Sequence, residues 1–234
     1  MEPARTRSFY LAGELFSGKH LLGNAALADA IRRRSSGRYA ALLPQNLEQR
    51  EGTAHSVRDN DLRALLACDL ALFNFDGGEL DSGTVVEFLF AKFADIPAVL
   101  LRTDFRRSGD QLDGGEPWNL MVSFYPRTAT VLLNSMALYQ SALDTRGAGS
   151  ADPSPENGTD SSVQAALDAH TAVADAVVKA FDEILLAPPV LPAHLRAAVY
   201  EWLAILPGFQ PHLLPEMSAE LPRLAAVKAA AGLL

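Results

Sequence analysis

Through the first two thirds of the chain, short apolar runs alternate with segments whose apolar positions recur at helical spacing. The runs are 8–13 (SFYLAG), 39–44 (YAALLP), 70–76 (LALFNFD) and 97–103 (PAVLLRT). Each has the length of a strand and is apolar on both faces, as a parallel strand is when helices cover the sheet on either side. Between them lie 24–34 (NAALADAIRRR), 55–67 (HSVRDNDLRALLA) and 84–94 (TVVEFLFAKFA), all with helical periodicity. The β-α-β-α order predicts an α/β fold with a doubly wound parallel sheet. In such sheets ligands bind beyond the carboxyl ends of the strands, where the connections change direction. That rule singles out Gly13–Ser17, Pro44–Asn46 and Asp76–Gly83.

The pattern changes at 145–162 (TRGAGSADPSPENGTDSS), which is rich in Gly, Pro, Ser and Asp and reads as a flexible linker or loop. Beyond it, helical spacing returns in 163–185, 191–206 and 218–234, separated by proline breaks. The expected organisation is an α/β domain over 1–144, a linker over 145–162 and a helical C-terminal extension over 163–234. No internal repeat is visible.

Composition narrows the function classes. With 49% hydrophobic residues the chain can bury a full core, and its net charge of -8 with no basic run longer than Arg32–Arg34 offers no stripe for a phosphate backbone. Nucleic acid is not expected as a partner. The single cysteine, Cys68, excludes a disulfide framework and a thiolate metal site. No apolar span approaches the roughly 18 residues of a membrane helix, and the first residues lack the apolar segment of a leader. A cytoplasmic protein without membrane association is the expectation.

Gly13 to Lys19 meets the spacing G-x-x-x-x-G-K of a phosphate-binding loop, and the run ending in Asp76 imitates the acidic strand that accompanies one. His20 stands where a Ser or Thr hydroxyl should reach magnesium, Leu15 and Phe16 are bulky, and LLGN at 21–24 falls where a helix should already be running. The match is therefore read as chance. The twelve-residue stretch from Asp76 to Glu87 has acids at the ends of a calcium loop, but Gly78, Leu80 and Asp81 occupy the wrong positions for one. What remains is a set of acids, namely Asp61, Asp76, Glu79, Asp81 and Glu87. Thr84 and Glu87 also fit a helix capping box, so a structural role competes with a chemical one. Asp81 or Ser82 is expected to cap the helix, leaving Glu87, in its first turn and ionised beside the positive dipole end, to face a ligand.

Several separated segments resemble the nucleoside 2-deoxyribosyltransferase family. They are FYLAG with Phe16 after it, Asn60-Asp61-Leu62, the D-x-G-x-x-x-E spacing of Asp81 and Glu87, and Asn119-Leu120-Met121. The resemblance spans about residues 8–125 and implies a flavodoxin-like sheet and an enzyme acting on 2'-deoxyribonucleosides and free nucleobases, without metal or cofactor. It implies Glu87 as nucleophile, Asp61 as general acid and base, and Asp81 with Asn119 as holders of the sugar 5'-hydroxyl. Tyr10 and Gly13 would shape the sugar pocket, Phe16 and Gln45 would meet the base, and Met121 would accompany Asn119. In that family Asn119 and its neighbours would be lent by an adjacent subunit, which requires a homo-oligomer, dimer-based and up to a hexamer. Three alternatives stay open: hydrolysis of nucleosides or their monophosphates and, behind it, a P-loop-like nucleotide-binding protein or a flavodoxin-like module without chemistry.

Overall fold

The computed structural model describes residues 5–47, 52–105, 116–146 and 155–234, with the side chains of 155–161 outside the description. Strands β1 (Arg7–Ala12), β2 (Tyr39–Leu42), β3 (Leu70–Asn74), β4 (Ala98–Arg102) and β5 (Thr128–Leu132) form one sheet in the order β2-β1-β3-β4-β5. All neighbours pair in parallel. This is the flavodoxin-like winding, whose connections reverse between β1 and β3.

Helices α1 (Gly18–Arg34), α2 (Ala54–Ala67), α3 (Ser82–Phe93), α4 (Ser135–Thr145), α5 (Pro155–Ile184), α6 (Arg196–Ile205) and α7 (Leu214–Ala230) cover the two faces. Because strand side chains alternate, Tyr10, Ala12 and Phe73 enter one core, with Leu65 of α2, Phe88 of α3, Tyr200 of α6 and Met217 of α7. Phe9, Leu11 and Leu72 enter the other, with Ile31 of α1 and Val177 and Phe181 of α5. Phe181 lies against the rings of Phe9 and Tyr39 at 5.1 and 5.0 Å. Burying a side chain of that size contributes about 1.5–3 kcal/mol.

The structure departs from the sequence reading in four places. A fifth strand and α4 follow the predicted four-strand core. TATVL of β5 mixes polar and apolar residues because it is an edge strand with Leu132 half exposed, so it lacks the continuous apolar signature of its neighbours. Leu21–Asn24 is helical, since α1 starts at Gly18 under a Ser17 cap. The expected linker is helical from Pro155 onward; Thr145 ends α4, and 147–154 lie outside the described residues. The C-terminal helices, finally, are seated on the sheet: α5 closes the α1 face, and α6 and α7 extend the α2–α3 face.

Buried polar contacts fix that seating. Arg127 pairs with Asp95 at 3.1 Å and donates to the carbonyls of Asp95 and Leu233, while Asp95 accepts from the backbone N–H groups of Val190 and Leu191. Tyr200 donates to Ala94 O, and Lys228 donates to Cys68 O. The far end of the chain is thereby tied to the turns between α3, β4 and β5.

Candidate active site

Tyr10 leaves β1 toward the α2–α3 face, fully buried, and its hydroxyl donates to Glu87 Oε1 at 2.6 Å. The two residues are 77 positions apart in the chain. Phe88 and Ala91 press α3 onto the sheet, and this orientation turns Glu87 to the carboxyl end of β1. Asp61, half-buried on α2, and Asp81, at the start of α3, are near enough that their charges act on Glu87; the charge of Asp61 acts on Tyr10 as well. The structure thus gathers Tyr10, Asp61, Asp81 and Glu87 from β1, α2, the β3–α3 turn and α3.

The capping question is settled by the geometry. Asp81 is the N-cap, with Oδ2 accepting from the backbone N–H and the hydroxyl of Thr84, both at 2.8 Å. Glu87 takes no part in the cap. It stands in the second turn of α3, not the first, so the helix dipole is not its dominant environment. Burial is, and it pushes the carboxyl up to about 7 against an ordinary 4.5, while the hydrogen bond from Tyr10 pulls it down and the charges of Asp61 and Asp81 push it up. The expectation of a carboxylate held ionised by the dipole is corrected accordingly. Tyr10 is itself raised by burial and by Glu87, which keeps it a donor.

Gly13 follows β1 at φ 155, and a Cβ there would come within 3.1 Å of Asn74 Cβ, so the position suits only glycine. Asn74, which the sequence did not single out, ends β3 and accepts from the N–H of Asp76. Asp76 is used structurally: its oxygens accept from the N–H groups of Thr103 and Asp104 and from the Thr103 hydroxyl. A strand-end acid was legible, but its bracing role required the fold.

The other expected residues are not joined to this group by any hydrogen bond among the described residues. Phe16 is 77% exposed in the loop before α1. The amide of Gln45 donates to Leu21 O and accepts from Asn24, so it is anchored on α1. Asn119 accepts from the N–H of Met121 at the start of a 3-10 turn, Leu120–Val122, that leaves Leu120 and Met121 exposed. That turn is held by Trp118, whose ring meets Phe75 edge-on and whose N–H donates to Ser123. Among the described residues, no group of three or more His, Cys, Asp or Glu side chains is arranged to hold a metal ion.

Residues 9–121 match the model of the nucleoside 2-deoxyribosyltransferase family. Among solved structures, a conserved protein from Enterococcus faecalis V583 is 25% identical and aligns over 61% of this chain and 99% of its own, with a TM-score of 0.46. The 2-deoxyribosyltransferase of the psychrotolerant bacterium Bacillus psychrosaccharolyticus is 21% identical over 50% and 80%, with a TM-score of 0.38. The enzyme from Leishmania mexicana, described as a 2-desoxiribosyltransferase, is 22% identical over 59% and 97%, with a TM-score of 0.42. No curated protein matches. All of the gathered residues, from Tyr10 to Glu87, fall within residues 9–121, the segment that matches the nucleoside 2-deoxyribosyltransferase family, a family of transferases.

Proposed function

We propose that this protein moves the 2-deoxyribosyl group from one nucleobase to another through a covalent glycosyl enzyme, with retention at the anomeric carbon. The observation that carries the reading is the half-buried Glu87 carboxyl bonded to Tyr10, with Asp61 and Asp81 beside it, inside the segment that matches the family. In the first half-reaction a Glu87 oxygen forms a bond to the anomeric carbon as the C–N bond to the base breaks. Asp61 gives its proton to the departing base, so no anionic leaving group forms. In the second half-reaction an incoming base attacks the same carbon, its proton passes to Asp61, and Glu87 leaves. Two inversions at one centre give retention.

The electrostatics suit this division of labour. Positive charge grows on the sugar ring as the base departs, and neighbouring carboxylates stabilise it. Glu87 must be ionised to attack, and the Tyr10 hydroxyl offsets part of the cost of burying that charge. Asp81 and Asn119, the latter from a neighbouring copy in a homo-oligomer, hold the 5'-hydroxyl. Gly13 allows close approach of the sugar, Phe16 and Met121 cover the base, and Gln45 reads its edge once released from α1.

The test is to incubate the protein with deoxyinosine and adenine and resolve the products chromatographically, beside a Glu87→Ala control. Deoxyadenosine and hypoxanthine in equal amounts, absent from the control, support the proposal. Hypoxanthine with free deoxyribose replaces it by the hydrolase reading, and turnover by the control removes Glu87 as nucleophile.

A further inference from the structure

Helix α2 is held in two different ways along its length. Its second half is seated by apolar burial, through Leu62, Leu65 and Leu66, whereas from Ala54 to Asp61 the one buried residue is the acid Asp59. The carboxyl of Asp59 meets the far end of the chain. Oδ2 accepts from the backbone N–H of Gln210 at 2.9 Å, and Oδ1 accepts at 2.6 Å from Arg58, whose guanidinium also donates to Gly208 O at 2.9 Å. We propose that Asp59 is a positioning residue for Asp61: through it, the loop between α6 and α7 fixes the start of α2 and with it the acid that serves the departing base. The role of Asp61 rests on the transfer reading, whereas the contacts of Asp59 do not.

His55, Asp59 and Arg63 recur at every fourth position and therefore share one face of α2. All three turn to the C-terminal extension. His55 Nε2 lies 3.0 Å from Gly208 O and 3.5 Å from Asp59 Oδ2, and Arg63 pairs with Glu216 and Glu220 of α7 at 2.6 and 2.7 Å. At the helix start, the Gln210 amide donates to the hydroxyl of Thr53, the N-cap, at 3.3 Å. Phe209, between the contacting residues, is buried in the α2–α3 core, so the loop that grips α2 is itself anchored. Gly208, Gln210 and α7 lie beyond residues 9–121, so this support comes from outside the segment that matches the family.

Asp61 stands two residues beyond Asp59, about 200° around the helix, on the side where its charge acts on Glu87 and Tyr10. Turning a helix by about 20° carries a side-chain tip that is about 5–6 Å from its axis through about 2 Å. Misplacement of that size costs a reacting group much of its effect. A carboxylate taken out of water is costly without its donors, so the Gln210 N–H and the Arg58 guanidinium hold α2 in the one orientation that satisfies Asp59.

The choice of leaving group separates Asp61 from general stability. Hypoxanthine needs a proton to depart from deoxyinosine, whereas the base of 7-methyl-2'-deoxyguanosine already carries a positive charge and leaves neutral when it takes the C–N bonding pair. Release of each base is measured in single turnovers, with the full chain in excess, for the parent, Asp59→Asn and Arg58→Ala. Arg58 is exposed, so its removal loosens the contact without opening the core. Amide hydrogen exchange over 58–62 is followed beside that over 64–67. Both variants are expected to exchange about tenfold faster over 58–62 alone and to release hypoxanthine about tenfold more slowly, with 7-methylguanine release within about twofold of the parent. Unchanged exchange over 58–62, unchanged hypoxanthine release, or equal losses on the two substrates overturns the proposal. A parent that releases neither base removes the transfer reading, and the role of Asp61 with it; that failure is told apart because exchange in α2 is read without turnover.

Discussion

The two sides of the sheet's carboxyl edge are built from the same strands and have opposite character. On the α2–α3 side, acids from three elements crowd around a tyrosine, and burial raises a carboxyl to about 7. On the α1–α5 side the wall of a cavity of about 650 Å³ mixes apolar residues with Lys19, His20 and the acids Glu14, Asp76 and Asp104, and the helix that closes it begins beyond the segment that matches the family. A partly buried cluster of like charges is costly to maintain and suits bond breaking.

The sharpest break of this contrast is Glu87→Gln. It is expected to lower transfer by at least about a thousandfold, measured as base exchange. It should also stabilise the protein. The folded value of about 7 lies above the ordinary 4.5, so the contribution of Glu87 is fully present below pH 4.5 and lost as pH rises through 7. At pH 8 the variant should be about 1–3 kcal/mol more stable than the parent, with the gap closing at pH 4.5; equal melting curves at both pH values would remove the buried-charge account.

Tyr10→Phe removes the 2.6 Å bond and keeps the ring in the core. Loss of the donor raises Glu87 further, so the acid limb of kcat/KM should move to higher pH and the rate at neutral pH fall about tenfold. An unshifted limb would assign it to another group. Asp81→Ala removes the cap and should cost about 1 kcal/mol in denaturant melts. Asp81→Asn keeps a capping oxygen, so activity lost in Asn without loss of stability separates the sugar contact from the cap.

A further effect is alkaline. Lys228, buried against the α2–α3 core, is pushed down by burial to about 8 from an ordinary 10.5. Between these values the unfolded chain holds more protons, so stability should rise from pH 8 to 10.5. Together with Glu87 this places a shallow minimum of stability near pH 7–8, and a monotonic melting profile from pH 5 to 10 would contradict it.

Legibility in the sequence follows the same divide. β1, β3 and β4 were readable because interior parallel strands are apolar throughout; of the two edge strands, β2 (YAAL) was readable because it is still wholly apolar, and β5 (TATVL) was not because it mixes polar and apolar residues. Asp81 and Glu87 were readable because one helix start carries both at fixed spacing. Gln45 was readable as a residue at a strand end, yet its amide is occupied by α1. The cavity was invisible, since its wall joins Lys19, Thr103, Tyr139 and His170 from four distant segments.

Local chemistry, then, was set by the chain alone: which apolar runs become strands, and that α3 is capped at Asp81 or Ser82 and not by Glu87. Such properties depend on neighbours a few residues away. Tertiary structure decided that Tyr10 meets Glu87, that burial outweighs the helix dipole there, and that α5 closes a sheet face. Those outcomes depend on desolvation and on contacts between distant segments, which exist only once the core has closed.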